Sequence, residues 1–270
     1  MTTTTNTMTA NPTPNPAFKL LIVGRRRAGQ TLAEHHHHLL ENHGKMVLKL
    51  IASNPEHAPR RYAQNRVLDG TWRNGGPVGG SIGDPFALNR DFVTQVWFDN
   101  PVQAMDALSH PLYKTNLQPD EDRFVDQASV VKLAVRERLI GEPRSASAGL
   151  GSVKLFAFFS KSATTTSADF NSAWQRRAEQ LARSQASGRF HQYVQNQVVA
   201  KPGELPPVDG VDEFWVADAA SATQLMQTVQ STLTAPLLAD GLLAPGAEFF
   251  LVAQEFLLFA GAGSKELAPT

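Results

Sequence analysis

The feature that most constrains this chain is that it repeats itself once. Tyr62-Ala63-Gln64-Asn65-Arg66-Val67 returns as Tyr193-Val194-Gln195-Asn196-Gln197-Val198, four identities in six, and a repeated segment implies a repeated structural unit. Upstream, Phe18-Lys19-Leu20 answers Val153-Lys154-Leu155. Downstream, Val96-Trp97-Phe98 answers Phe214-Trp215-Val216. Each half closes on another apolar, strand-sized stretch, near 124–135 and 248–259. A helix-length segment separates the first strand from the Tyr-x-Gln-Asn strand, and a second follows the Trp strand. The order is therefore β-α-β-β-α-β, twice, which predicts an α+β protein of two ferredoxin-like repeats. The first strand, Phe-Lys-Leu-Leu-Ile-Val, alternates little, so neither face of its sheet suits water. Pairing the two sheets face to face is the expected remedy.

The expected domains are a disordered tail over 1–16, a first repeat over 17–140 and a linker over 141–152. A second repeat over 151–260 and a tail over 261–270 complete the chain. The linker rests on the Gly, Pro and Ser content of GEPRSASAGLGS. With 42% hydrophobic residues the chain can bury a core without staples. Its 25 basic and 25 acidic side chains cancel, which argues against a nucleic-acid partner. No cysteine is present, so thiolate chemistry is excluded. The N-terminal stretch lacks the charged and apolar regions of a secretory signal, and no apolar run is long enough to span a membrane. A cytoplasmic protein is expected.

Several short motifs occur in a fixed order: a first strand ending in Arg25-Arg26-Arg27, the helix stretch His37-His38-Leu39-Leu40-Glu41-Asn42-His43-Gly44, the Tyr-x-Gln-Asn strand, the Trp97-Phe98 strand and Phe124-Val125-Asp126. In that series the chain resembles the EthD domain family of the dimeric α+β barrel superfamily, well over 17–140 and more weakly over 151–260. The resemblance implies an intrachain version of the dimeric barrel, with a ligand cavity between helices and sheet. It also implies a role for His43, which stands where the family has a histidine. The family's helix carries an aromatic pair ahead of that histidine. The first copy has His36 and Leu40 at those places, and the second keeps Phe170 and Trp174.

Five of the eight histidines fall in the nine residues 35–43. At ~100° per residue, Leu32, His36, Leu39, Leu40, His43 and Val47 share one face, and His38 points nearly the opposite way. An apolar helix face laid on a sheet would bury the ring nitrogens of His36 and His43, which then need partners. In the second copy Arg177 stands at the place of His43, so one working site and one structural copy are expected. His36 and His43 are seven residues apart, ~10 Å along an α-helix, too far to share one metal ion. No metal site and no cofactor are expected.

The candidate catalytic residues are thus His43 and His36, with Tyr62 and Asn65 on the repeated strand as groups able to stabilise a developing enolate. Strand alternation keeps Tyr62 and Asn65 off one cavity unless a bulge intervenes. Arg25, Trp72 and Leu40 are candidate substrate contacts, Arg25 for an acidic group and Trp72 from a loop over 70–85. Gly79-x-Ser81-x-Gly83 lacks the strand and helix that a nucleophile elbow requires. The resemblance implies decarboxylases or dehydratases of aromatic and polyketide-like molecules. An imidazole in an apolar pocket suits the same proton chemistry, so a cofactor-independent lyase or isomerase is the leading expectation. A non-catalytic binding or oxygenase-accessory protein and a haem- or oxygen-dependent oxidoreductase are the alternatives. A homodimer of fused repeats fits the superfamily.

Overall fold

The computed structural model describes residues 18–70, 89–141, 152–184, 188–200, 204–246 and 248–261. Eight strands appear in chain order: β1 (Phe18–Gly24), β2 (Arg61–Gly70), β3 (Phe92–Phe98), β4 (Val131–Leu139), β5 (Val153–Phe159), β6 (Gln192–Val198), β7 (Gly210–Val216) and β8 (Phe249–Ala260). They close into one antiparallel barrel in the order β1-β3-β2-β8-β5-β7-β6-β4. Each half contributes its strands in the same order, fourth-first-third-second, and the halves join through β2 with β8 and β4 with β6. The two sheets therefore meet edge to edge, not face to face. Closure removes every unpaired edge and encloses the inner faces, which accounts for the apolar character of β1.

Helices cover the outside. In the first half, α1 (Leu32–His37), a π-helical stretch (His38–Gly44) and α2 (Lys45–Ser53) form one continuous rod. Thr31 and Glu34 start it with a reciprocal capping box. The second rod comprises α3 (Pro101–Ser109), a π-helical turn (Tyr113–Leu117) and α4 (Gln118–Phe124). The second half carries α5 (Ser167–Arg183), which is α-helical throughout, then α6 (Ala219–Val229), a π-helical turn (Gln230–Thr234) and α7 (Ala235–Ala239). The apolar stretch expected as a strand near 124–135 divides differently. Phe124 ends α4, and β4 begins only at Val131 after a short 3-10 turn. The tails, most of the 141–152 linker and the loop with Trp72 and Ser81 lie outside the described residues.

Strand alternation sends one set of side chains into the barrel. Leu21, Val23, Val93, Leu133, Phe156, Phe158, Phe249 and Leu251 fill part of it with hydrocarbon. The rest is ionic. Lys19 bonds Glu137 at 2.8 Å and Glu213 at 2.5 Å, and Lys154 bonds Glu255 at 2.7 Å and Glu213 at 3.3 Å. Arg61 approaches Glu255 at 3.5 Å. Trp97 and Trp215 donate their indole N–H to Glu137 and Glu255. The register makes this network nearly two-fold: Lys19 and Lys154, Trp97 and Trp215, and Glu137 and Glu255 are counterparts. Two positions break the symmetry: Arg61 in β2 has Gln192 in β6 as its counterpart, and Gln95 in β3 answers Glu213 in β7, with Gln95 donating to both Glu213 oxygens at 2.9 and 2.8 Å.

Outside the barrel the halves differ. In the second, helices and sheet share one continuous apolar cluster that includes Phe170, Trp174, Tyr193, Phe214, Leu233 and Leu237. In the first, the equivalent core is split into a cluster around Leu39, Phe92 and Phe124 and another around Leu20, Phe98 and Ala104. A cavity lies between them.

Candidate active site

The cavity is a three-sided slot. Its floor is the outer face of the sheet, with Leu20, Ile22, Tyr62, Thr94, Val96 and Phe98. One wall is the face of the first rod carrying His43, Val47, Leu50 and Ile51, a run at helical spacing, continued past its end by Asn54 and by His57 from a short 3-10 turn (Pro55–His57). The opposite wall comes from the second rod, with Ala107, Leu108, His110, Tyr113, Leu117 and Glu121. The free volume is about 120 Å³. The rise from His43 to Asn54 along the rod is ~16 Å, so the space is drawn out into a slot and not gathered into a bowl.

His43 stands at the inner end and is 8% exposed. Its Nδ1 lies 3.1 Å from Asp120 Oδ2. The other oxygen of Asp120 meets His38 Nε2 at 3.0 Å, and His38 Nδ1 faces the Asn42 amide nitrogen at 3.3 Å. An amide nitrogen can only donate, so His38 accepts at Nδ1 and carries its proton on Nε2, aimed at Asp120. The two imidazole N–H groups, that of His43 foremost, hold the Asp120 carboxyl below the usual carboxylate range. An ionised Asp120 only accepts, so His43 in turn donates from Nδ1. In the neutral ring this leaves the Nε2 lone pair on the side of the slot that His43 lines. Phe124 packs against both rings.

Two further polar groups line the slot. Glu121 Oε1 lies 4.0 Å from His43 Nε2, and its carboxylate accepts from Tyr113 Oη at 3.0 and 3.2 Å. Burial pushes the Glu121 carboxyl up from its ordinary range, so it takes up a proton more readily than a solvated glutamate. Tyr62 is fixed by Gln64, whose amide nitrogen donates one proton to the Leu39 carbonyl at 2.8 Å and another to Tyr62 Oη at 2.7 Å. Because Tyr62 accepts there, its own O–H is available toward the slot. Burial raises the Tyr62 hydroxyl pKa well above the ordinary phenol value, so it acts as a donor and stays protonated.

Several expected site residues lie elsewhere. Asn65 is on the other face of β2, inside the barrel, and donates to the Val93 carbonyl at 2.9 Å and to Gln95 at 3.1 Å. Strand alternation is the reason. His36 bonds the Asp91 carbonyl at 3.2 Å, and with Leu40 it lines a separate shallow cleft beside Arg66. Arg25 is paired with Asp126 at 2.6 Å and does not line the slot. Trp72 is outside the described residues. His35, expected to flank the stripe, is instead fully buried between Phe92 and Phe124, with Nδ1 3.1 Å from the Phe124 carbonyl.

The cause of these shifts is the π-helical stretch over His38–Gly44. Its wider turn places residues five apart above one another, which brings His38 to the same carboxylate as His43. An ideal α-helix would set them on nearly opposite faces. Counting from the N-caps Thr31 and Thr166, Phe170 falls level with His35 and Trp174 with Leu39, one residue before the places expected from the sequence. Gln195 reaches the Trp174 carbonyl at 3.5 Å as Gln64 reaches Leu39. The extra residue of the π stretch then returns His43 to the level of Arg177, which pairs with Asp240 at 3.3 Å.

The same comparison shows what the second half lacks. The π-helical turns at 113–117 and 230–234, each followed by a helix with Pro at its second position, align the two rods. Asp120 and Glu121 then face Leu237 and Leu238, Tyr113 faces Gln230, and His38 faces Ala173. Where Val96 leaves the slot open, Phe214 stacks on Tyr193 with centroids 4.2 Å apart. Trp174 lies so near Gly210 that a Cβ there would come within 2.5 Å of the ring. The second-half residues equivalent to the slot lining are thus packed against one another. Among the described residues no group of three or more His, Asp or Glu side chains is arranged to hold a metal ion, and no helix is long and apolar enough to cross a membrane.

Comparison with known proteins agrees with this architecture. Residues 27–128 match the model of the EthD domain. Among solved structures, an anthrone oxidase-like protein superposes with a TM-score of 0.58 at 10% identity, covering 92% of this chain and 97% of its own. A protein described as a candidate monooxygenase from Fusobacterium nucleatum gives 0.52 at 4% identity, with coverage of 90% and 93%. One described as a candidate chlorite dismutase gives 0.50 at 8% identity, with coverage of 88% and 94%. At such identities the likeness establishes the fold alone. No curated protein matches the sequence.

Proposed function

We propose that this chain, which carries an EthD domain over residues 27–128, is a cofactor-independent acid–base enzyme of the lyase or isomerase type. Its substrate is a flat, apolar, aromatic or polyketide-like molecule. The two halves are fused ferredoxin-like copies, of which the first works and the second is scaffold. The observation that carries this reading is the His38–Asp120–His43 arrangement, which leaves an imidazole lone pair on the side of the apolar slot that His43 lines.

Such a base removes a proton from a carbon acid or a phenol, and positioned proton transfer contributes ~10²- to 10⁴-fold in rate. Asp120 fixes the His43 tautomer and stabilises the imidazolium as it forms. The electrons of the broken C–H bond move onto the adjacent carbonyl oxygen, where the Tyr62 O–H donates to the resulting enolate. The proton taken by His43 passes from Nε2 to Glu121 Oε1, 4.0 Å away, and Glu121, with its raised proton affinity, delivers it either to carbon, giving isomerisation, or to a departing hydroxyl, giving dehydration. The slot's apolar lining keeps water from competing for these donors.

A panel of aryl ketones and hydroxylated aromatics tests this, each incubated with the protein in D2O and its deuterium uptake read by NMR. The wild type is expected to exchange at least one probe, His43→Ala to lose exchange while staying folded, and Arg177→Ala to keep it. Equal losses in both variants would overturn the single-site reading. The likeness to an anthrone oxidase-like protein favours a second outcome for the same enolate, reaction with dioxygen. Oxygen consumption without added cofactor would mark it.

A further inference from the structure

The slot has a second polar end. His57, from the 3-10 turn that follows the first rod, and His110, at the end of α3, flank its mouth with ring centroids 5.3 Å apart, at the far end from His43. Between the two ends the lining is mostly hydrocarbon, with Val47, Leu50, Ile51, Leu108 and Leu117 above a floor of Leu20, Ile22, Val96 and Phe98 that Tyr62 and Thr94 interrupt. Paired imidazoles at the rim of an apolar channel have no packing reason to face one another, since Leu or Phe would cover the same surface.

The hydrogen bonds say what these rings offer. His110 Nδ1 accepts from the Leu112 backbone N–H at 3.3 Å, so the ring proton sits on Nε2 and His110 presents a donor. Its lone pair is already used, which argues against a metal ion bridging the pair. His57 Nε2 lies 3.9 Å from the exposed Glu56 carboxylate, beyond hydrogen-bond reach, so a proton on that nitrogen can turn to the mouth. Two imidazoles 5.3 Å apart, each able to offer one N–H, suit an acceptor with two oxygens in one plane.

We infer that the His57–His110 pair binds the carboxylate of the substrate, which is therefore an elongated, flat apolar acid whose reacting carbon lies at the opposite end, beside His43. This rests on the function proposed above for its account of the inner end, and it adds the substrate class. A span of ~16 Å along the helical rod calls for a body longer than a single ring, and the small volume calls for a thin one. Charge at the mouth also sets polarity: the acid head stays at the rim near water, and the neutral end enters.

The probes are biphenyl-4-carboxylate and its primary amide, which share shape and length and differ in charge. Isothermal titration of the wild type is expected to show the carboxylate binding at least tenfold more tightly. The double variant His57→Ala/His110→Ala is expected to bind the two equally, with affinity for the amide retained. The His43→Ala variant should keep the wild-type preference, which separates this site from the catalytic one: deuterium exchange can fail while the preference stands, and the reverse. Equal binding of the two probes by the wild type, binding of neither, or a preference that survives the double substitution would overturn the assignment.

Discussion

Replacing Glu213 by Gln tests what holds the barrel together. Glu213 is fully buried and receives Lys19 at 2.5 Å, Lys154 at 3.3 Å, the Gln95 amide and Asn196 at 2.8 Å. Burial opposes its ionisation, yet the two ammonium groups outweigh that and bring its pKa down to about 2. Against an ordinary 4.5, that difference at 1.36 kcal/mol per pH unit amounts to roughly 3 kcal/mol. This falls in the ~3–5 kcal/mol range for removing one partner of a buried ion pair. Because the folded pKa is the lower one, the stabilisation is present above about pH 4.5 and fades as pH falls through about 2. For a chain of this size the single variant should lower Tm by roughly 6–12 °C, read by circular dichroism at neutral pH. The near two-fold symmetry supplies a sharper control. Gln95 is the counterpart of Glu213, so Gln95→Glu combined with Glu213→Gln restores the charge balance among Lys19, Lys154, Arg61, Glu137 and Glu255. The double variant should recover most of the loss, whereas Gln95→Glu alone sets a second carboxylate against Glu213 and destabilises. A single variant costing under ~1 kcal/mol, or a double variant no better than either single, would refute the view that this network is a charge-balanced core.

Two further substitutions copy the second half into the first. His35→Phe follows Phe170: burial lowers the His35 pKa to about 4, so between about pH 6.5 and 4 the unfolded chain binds the extra proton and stability falls with pH. The variant should flatten that acid slope by up to roughly 3 kcal/mol, measured by urea titration at pH 7 and pH 4.5; an unchanged slope would contradict the burial of this ring. Val96→Phe follows Phe214 and should fill the slot, leaving the fold intact and weakening probe binding by at least tenfold in calorimetry. Undiminished binding would place the ligand elsewhere.

The barrel was legible because its evidence is repetition. Tyr-x-Gln-Asn, the Lys in β1 and β5 and the Trp in β3 and β7 occur twice, and a period-two strand pattern survives small errors of boundary. The site was only half legible. His43 and Tyr62 were accessible from the family resemblance and the repeat. His38 was misplaced because a 100° step cannot foresee a π-helical stretch, which adds one residue without a mark in composition. Asp120, Glu121 and Tyr113 were missed, although a signal existed: Gln118-Pro119-Asp120-Glu121 aligns with Ala235-Pro236-Leu237-Leu238, and buried carboxylates where the other copy has leucines point to function. Asn65 was open to two readings, a group that polarises a carbonyl and an amide bonding across strands, and the structure shows the second. Its repetition in both halves marks a strand-bridging amide, a structural part that both copies need.

The protonation state of the His43 ring is the point on which the mechanism turns. Nitrogen-15 NMR of the imidazoles at neutral pH, with Asp120→Asn as the reference, reads it directly. The expected result is a neutral ring protonated at Nδ1, with a free Nε2 whose resonance moves when an aromatic probe fills the slot, and a loss of that tautomer preference in Asp120→Asn. A ring protonated at Nε2 in the wild type, or an Nε2 resonance indifferent to the bound probe, would contradict the account.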